Sequence, residues 1–285
     1  MGILLALAAL FSWGLGDFLI QKSARKFGDW IALFYITAFG SIILFPFVYK
    51  DIGSSLGNHG ALLLFASFIV LSAGLLDFEA LRIGKISVIE PIYALEIPVA
   101  AFLAAFLIHE RLSMPQLIFI GGIMIGIFLI STTSFSSLKN IQAEKGAWQA
   151  FFATIGMGAI NFLFGVGARE TSPLMINWFT SVFIAVVAFG YLAFHSRLNE
   201  LVEYFKNNKV LILNVSFFDN LAWITFSYAT LFIPIAIATG VSEGYIAFAG
   251  ALGLLFNKEK LRKHQWAGFF VVVVAVILLA LITDK

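Results

Sequence analysis

The chain has 285 residues, 61% of them hydrophobic and 12% charged, with a formal net charge of +2 and no cysteine. A soluble domain carries about 25% charged residues. Half that cannot cover a globular surface, and the apolar content is too high for disorder. The small net charge gives no basic face for nucleic acid, and the lack of cysteine excludes a disulfide framework, thiol catalysis and a Cys-based zinc site. A polytopic protein of the lipid bilayer remains.

A spanning helix takes about 20 apolar residues, so ten of them fill most of the chain. The apolar runs are continuous, not alternating, which excludes a β-barrel. In chain order the predicted spans are 2–20, 30–49, 60–80, 87–108, 115–133, 147–167, 174–194, 210–232, 235–256 and 265–282. Charges and turn formers mark their ends, as at Lys22-Ser23-Ala24-Arg25-Lys26, Asp51-Ile52-Gly53 and Asn257-Lys258-Glu259-Lys260. The longest loop, 195–209, holds Leu198, Leu201, Val202 and Phe205, suited to a short interfacial helix. No basic stretch precedes the first span, so it does not read as a cleaved signal peptide.

Loops after the odd-numbered spans hold fourteen of the 18 Lys and Arg; Lys50, Arg111, Arg169 and Lys285 lie elsewhere. By the positive-inside rule both termini are expected outside the cytoplasm, in a multi-pass plasma-membrane protein. The competing reading has both inside.

The halves, 1–138 and 139–285, echo each other. Ala24-Arg25 falls on Ala168-Arg169 at an offset of 144, which places Asp17-Phe18-Leu19 on Asn161-Phe162-Leu163. Glu110-Arg111-Leu112 and Gln116 fall on Glu259-Lys260-Leu261 and Gln265 at an offset of 149. Each half has five spans, an odd number, so the copies must lie in opposite orientations. Inverted repeats of this kind place a central site between the halves and serve alternating access.

Two five-helix units, each with a Glu-Arg/Lys-Leu turn before a Gly-rich fifth helix, resemble the EamA-type drug/metabolite transporters. Pro98, Glu110-Arg111-Leu112, Gln116, Gly121 and Gly126 carry the likeness in the first half, and Glu259-Lys260-Leu261, Gln265 and Gly268 in the second. Ala247 departs from it where the first half has Pro98. The resemblance implies a secondary carrier, often an exporter, of small metabolites.

Seven carboxylates fall within apolar spans: Asp17, Asp77, Glu79, Glu90, Glu96, Asp219 and Glu243. Each costs about 3 kcal/mol at a helix centre, so each is a functional candidate unless paired. Glu79 is three residues before Arg82, a structural pairing distance. Asp17, Glu96 and Glu243 are the leading candidates. On the ninth span Thr239, Ser242, Glu243 and Ile246 share a face. Glu90, Tyr93 and Glu96 do so on the fourth, and Trp13, Asp17 and Gln21 on the first. Asn161, Asp219, Asn220 and Trp223 complete the expected cavity. Buried carboxylates that hold a proton near neutral pH can exchange it for a substrate cation. Trp13, Tyr93, Trp178, Trp223 and Tyr228 are placed to add cation–π or stacking contacts. The expected ligands are a small cationic metabolite (an amino acid, an amine or an organic cation) and a coupling proton or other cation.

Other classes lack their parts. His59, His109, His195 and His264 all lie in loops or at span ends, without a Ser-His pair or a His-Glu-x-x-His motif for an intramembrane enzyme. No repeated filter suggests a channel, and no deep Arg or Lys suits a phosphorylated or nucleotide substrate. An uncharged or anionic metabolite, carried by exchange, remains the competing cargo. No cofactor or metal is expected. Gly122-x-x-x-Gly126 marks close helix packing, at the seam between halves or in a dimer, and the chain is expected as a monomer or a homodimer. Pro91, Pro98 and Pro234 are placed to break helices near the cavity, and Glu110 and Glu259 to cap or gate.

Overall fold

The computed structural model describes residues 1–84, 92–132, 145–248 and 262–283. Lys85, Glu90, Pro91 and the Glu259-Lys260-Leu261 turn lie outside them. The described residues form ten principal helices. In the first half they are α1 (Gly2–Phe27), α2 (Asp29–Val48), α3 (Ile52–Ile83), α4 (Glu96–Leu107) and α5 (Met114–Ser131). In the second they are α6 (Ala147–Glu170), α7 (Pro173–Phe194), α8 (Leu198–Ala229), α9 (Ile235–Ser242) and α10 (Lys263–Thr283). Eight are long and apolar enough to cross a membrane; the shorter ones are α4 and the 235–248 segment that contains α9.

Helix ends do not coincide with the charges that suggested them. Lys22 to Lys26 form the last turns of α1, where Ser23 and Ala24 are fully buried and the long cationic side chains reach outward. The stop is Gly28, whose φ of 82° suits a residue without Cβ. Ser172 caps α7 by accepting from the Met175 N–H at 3.0 Å, with Pro173 at the first helical position. Gln116 and Gln265 do the same job in the two repeats. Each accepts from the backbone N–H three residues earlier, Ser113 at 2.8 Å and Arg262 at 2.9 Å.

Both third helices carry a bent leading segment. α3 kinks at His59 and α8 at Asn208. The expected interfacial helix at 198–205 is therefore the start of α8, and the 52–58 stretch, read from sequence as loop, is its helical counterpart in α3. Tyr35 donates to the Leu201 carbonyl and Lys26 to the Asn208 side chain, anchoring the leading segment of α8.

The halves interlock reciprocally. α1 packs on α8 and α3 on α6; α4 packs on α6 and α1 on α9. The pairs α2–α7, α4–α9 and α5–α10 join equivalent helices. This is the pattern of a two-fold axis relating inverted five-helix repeats. At the α5–α10 crossing a Cβ on Gly126 would lie 2.9 Å from the Gly268 carbonyl oxygen, and one on Gly268 would lie 2.7 Å from that of Gly126. The small residues thus serve the seam between halves within one chain.

The fourth and ninth spans are broken. A turn at Ala94-Leu95 precedes α4, and a turn at Glu243-Gly244 separates α9 from a short helical turn at 245–248. The two breaks stand 149 residues apart, the offset of the later repeat register. Pro98 explains the first: it lacks the N–H that would bond the Ala94 carbonyl, and it fits the first turn of α4, where that donor is not needed. The second break forms without proline, the Ala247 N–H bonding Gly244 at 3.0 Å. The continuous faces expected on spans four and nine do not exist across these breaks.

Candidate functional site

Between the halves lies a cavity of about 120 Å³, room for on the order of ten water-sized groups. Seven of the ten principal helices contribute, and Tyr93, Glu243 and Tyr245 at the two breaks complete the wall. Of the expected residues, Trp13, Asp17, Tyr93, Glu96, Asn161, Asp219, Asn220, Trp223 and Glu243 line it. Thr239 and Ser242 do not: both are fully buried in α9, and the Ser242 hydroxyl donates to the Thr239 carbonyl at 3.0 Å. The unbroken helical face that grouped them with Glu243 ends at that residue. Gln21 also leaves the expected stripe, reaching the Leu81 carbonyl at 3.5 Å. Trp178 donates to the Ser41 carbonyl at 3.1 Å in the α2–α7 seam, and neither it nor Tyr228 is among the lining residues.

The walls obey the repeat. At an offset of 144, Trp13, Asp17 and Ile20 of α1 fall on Met157, Asn161 and Phe164 of α6, and all six line the cavity. Leu33, Ile36 and Thr37 of α2 fall likewise on Asn177, Thr180 and Ser181 of α7. At the broken helices Glu96 corresponds to Tyr245, both of them lining residues. Close approach is built in the same way twice. A Cβ on Gly158 would sit 2.8 Å from the Glu96 carbonyl oxygen, and one on Gly14 would sit 3.4 Å from that of Tyr245. Missing side chains on α1 and α6 thus let the broken helices reach the centre.

The geometry is two-fold but the chemistry is not. Asp17 stands opposite Asn161, Glu96 opposite Tyr245, and Glu243 opposite Ala94. Five carboxylates line the cavity (Asp17, Asp77, Glu96, Asp219 and Glu243), and none of the described lining residues is Lys, Arg or His. Asp77 of α3 and Asp219 of α8 both face it, and Tyr93 is within hydrogen-bonding reach of Asp77. The Asn161 amide approaches Glu96 at 3.5 Å, and Glu96 and Glu243 are 8% and 3% exposed. Among the described residues no three His, Cys, Asp or Glu gather as a metal site. The carboxylates are spread around the walls.

Most neutral donors are already committed. Asn220 donates to the Ile36 carbonyl at 3.0 Å and to Ser216 at 2.8 Å. Asn177 donates to Pro173 at 2.7 Å and to the Ser227 hydroxyl at 2.8 Å. Thr37 and Thr180 donate to the carbonyls four residues before them. The aromatic wall is continuous. Trp13 meets Trp223 edge-on at 5.0 Å, Phe164 lies 4.7 Å from Trp223, and Tyr245 lies 6.4 Å from Trp13.

The expected pair Glu79–Arg82 forms, and Arg82 also reaches Asp29 at 3.4 Å; neither acid lines the cavity. Sequence reasoning did not select Thr37, Thr180, Ser181 or Tyr245, and weighed Asp77 without placing it in the site. The 149-residue offset from Glu96 is the signal that would have found Tyr245.

An uncharacterized protein of Haemophilus influenzae is 28% identical to this chain over 218 residues, spanning 73% of this chain and 68% of its own length. A protein solved by crystallography superposes with a TM-score of 0.76 over 99% of this chain and 97% of its own, at 11% identity, a likeness of fold. The sequence pattern of the EamA-like transporter family matches residues 1–132 and again 144–281, one match to each inverted repeat around the cavity. Reciprocal helices, a shared central cavity and a family match in each half agree: the chain belongs to the EamA-like transporter family.

Proposed function

We propose that the protein is a secondary active carrier, acting as an exporter, that exchanges protons for a small organic cation by alternating access. The observation that carries this reading is the lining of the cavity, five carboxylates with no basic residue among the described positions. Such a cavity concentrates cations, and a carboxylate that releases a proton can hold the cargo in its place. The aromatic wall of Trp13, Trp223, Phe164 and Tyr245 supplies faces for a substituted ammonium group. An amino acid would bring a carboxylate needing donors, but the Asn177 and Asn220 amides are occupied by the protein itself. We therefore favour an amine or organic cation over a zwitterion. The cavity volume favours a small cargo. In this reading the protein is not an enzyme and needs no cofactor. It sits in the plasma membrane with both termini outside, as a monomer or homodimer.

Counterflow in proteoliposomes tests the reading. An amine that raises the unfolding temperature of the purified protein is loaded inside, and uptake of the labelled compound is followed. Transient accumulation above equilibrium is expected of a carrier. An amino acid that exchanges better than its methyl ester would overturn the choice of cation. A multiply charged anion, exchanged while no cation is, would overturn the charge argument itself.

A further inference from the structure

Arg169 ends α6 in a position that the cavity does not explain. Its Nε donates to the Thr230 carbonyl at 2.9 Å, at the end of α8. Its Nη2 donates to the Ile233 carbonyl at 3.3 Å and to Glu110 Oε1 at 3.1 Å. Glu110 Oε2 accepts in turn from the Ala236 N–H at 3.4 Å, in the first turn of α9. One ion pair thus ties the α4–α5 connection of the first half to α6, α8 and α9 of the second. All these ends lie on the same face, because successive helices alternate in direction.

The pair stands over the cavity. Arg169 is eight residues beyond Asn161 on α6, and Ala236 is seven before Glu243, so both lie roughly 11 Å outward of the acidic layer. Between them the space is shut. Ile235 is fully buried, and a Cβ on Gly165 would lie 2.5 Å from its side chain. The contact is breakable: the Arg169 and Glu110 side chains are 33% and 12% exposed, and a hydrated pair has modest net strength.

The opposite face carries a weaker copy. Arg25, the repeat counterpart of Arg169, reaches the Leu81 carbonyl near the end of α3 at 3.4 Å. The arginine at each face therefore binds the end of the third helix of its own repeat, but Arg169 does so more closely and adds Glu110. The counterpart of Glu110, Glu259, lies outside the described residues.

We propose that Arg169 and Glu110 form the latch that closes the central cavity towards the face carrying the α4–α5 and α8–α9 connections, and that cargo passes this face when the pair separates. Both are positioning residues; neither touches the cavity. The proposal rests on the carrier reading, yet its test needs no cargo, so the two fail separately.

The chain has no cysteine, so Ser181→Cys places a single thiol in the cavity wall. An impermeant maleimide is applied to oriented proteoliposomes from each face in turn. With the latch intact, the thiol is expected to react slowly from the latch face. Adding Arg169→Gln should raise that rate about tenfold, the population change that accompanies ~1.4 kcal/mol of lost closure. The isosteric Glu110→Gln should do the same, and it carries the test if Arg169→Gln does not fold. If folded variants unfold at a lower temperature but keep the unmodified ratio of labelling between faces, the pair is a structural cap and the proposal is overturned.

Discussion

Gly158→Ala is the sharpest probe of how the site is assembled. Its new Cβ would lie 2.6 Å from Val99 Cβ and 2.8 Å from the Glu96 carbonyl oxygen. Ordinary contact begins near 3.4 Å, so the start of α4 must retreat by about 0.6–0.8 Å, because backbone cannot rotate aside as a side chain can. Overpacking of this kind costs about 1–3 kcal/mol, or roughly 2–4 °C of unfolding midpoint per kcal/mol at this size. The same retreat lengthens the 3.5 Å approach of Asn161 to Glu96 and should slow transport. Gly14→Ala is the internal comparison. Its closest conflict, 2.5 Å, is with the Phe248 ring, and the Tyr245 carbonyl already lies at 3.4 Å, so the loss should be smaller. Gly190→Ala meets nothing within 4 Å and should gain up to about 1 kcal/mol of helix propensity. Thermal unfolding in detergent, followed by tryptophan fluorescence and paired with a transport assay, gives the order. If Gly158→Ala melts with Gly190→Ala and transports normally, the packing argument is wrong.

Gly126→Ala and Gly268→Ala should each lower the midpoint, and the double variant should fall short of the sum, because both strike one crossing. Trp13→Ala and Trp223→Ala should each weaken binding of a quaternary ammonium compound; a double-mutant cycle read by unfolding should give about 0.5–1.5 kcal/mol of coupling for their edge-to-face pair. For topology, exposed Lys50→Cys should label with an impermeant thiol reagent in intact cells and Lys206→Cys only after lysis; the reverse result inverts the orientation.

Much of the fold was legible because the bilayer constrains it. The apolar runs located the ten principal helices of the described residues, and the two repeat offsets carried the inverted architecture. Helix ends were less legible. Charge reports where a side chain meets water, while a helix stops where its hydrogen bonds stop, and α1 runs on through Lys22 to Lys26. The kinks at His59 and Asn208 leave no apolar gap, so one was read as loop and the other as a separate helix. The break at Ala94 was foreshadowed by Pro98, but the break at Glu243 has no proline. It separates Ser242 and Thr239 from the cavity they were expected to line. Asp17, Glu96 and Glu243 stood out because an ionisable group in a span is costly. Thr37, Thr180 and Ser181 did not, because a hydroxyl can satisfy itself on its own helix. The 144-residue register pairs Thr37 with Ser181 and Ile36 with Thr180, but neither member of either pair carries a signal of its own.

The central claim is that the cavity carboxylates trade protons for a cation. Proteoliposomes enclosing a pH-sensitive dye, with an acidic interior, test it most directly when challenged with a panel of quaternary ammonium compounds. These cannot ferry a proton through the bilayer themselves, so a rise in internal pH reports exchange by the protein. The unmodified chain should raise the internal pH with at least one of them. The Glu96→Gln, Glu243→Gln double variant keeps a side-chain acceptor at each position, is checked for folding by thermal unfolding, and should leave the pH unchanged. An equal pH rise in the double variant, or none with any cation in a preparation that exchanges a sugar phosphate, would contradict the account.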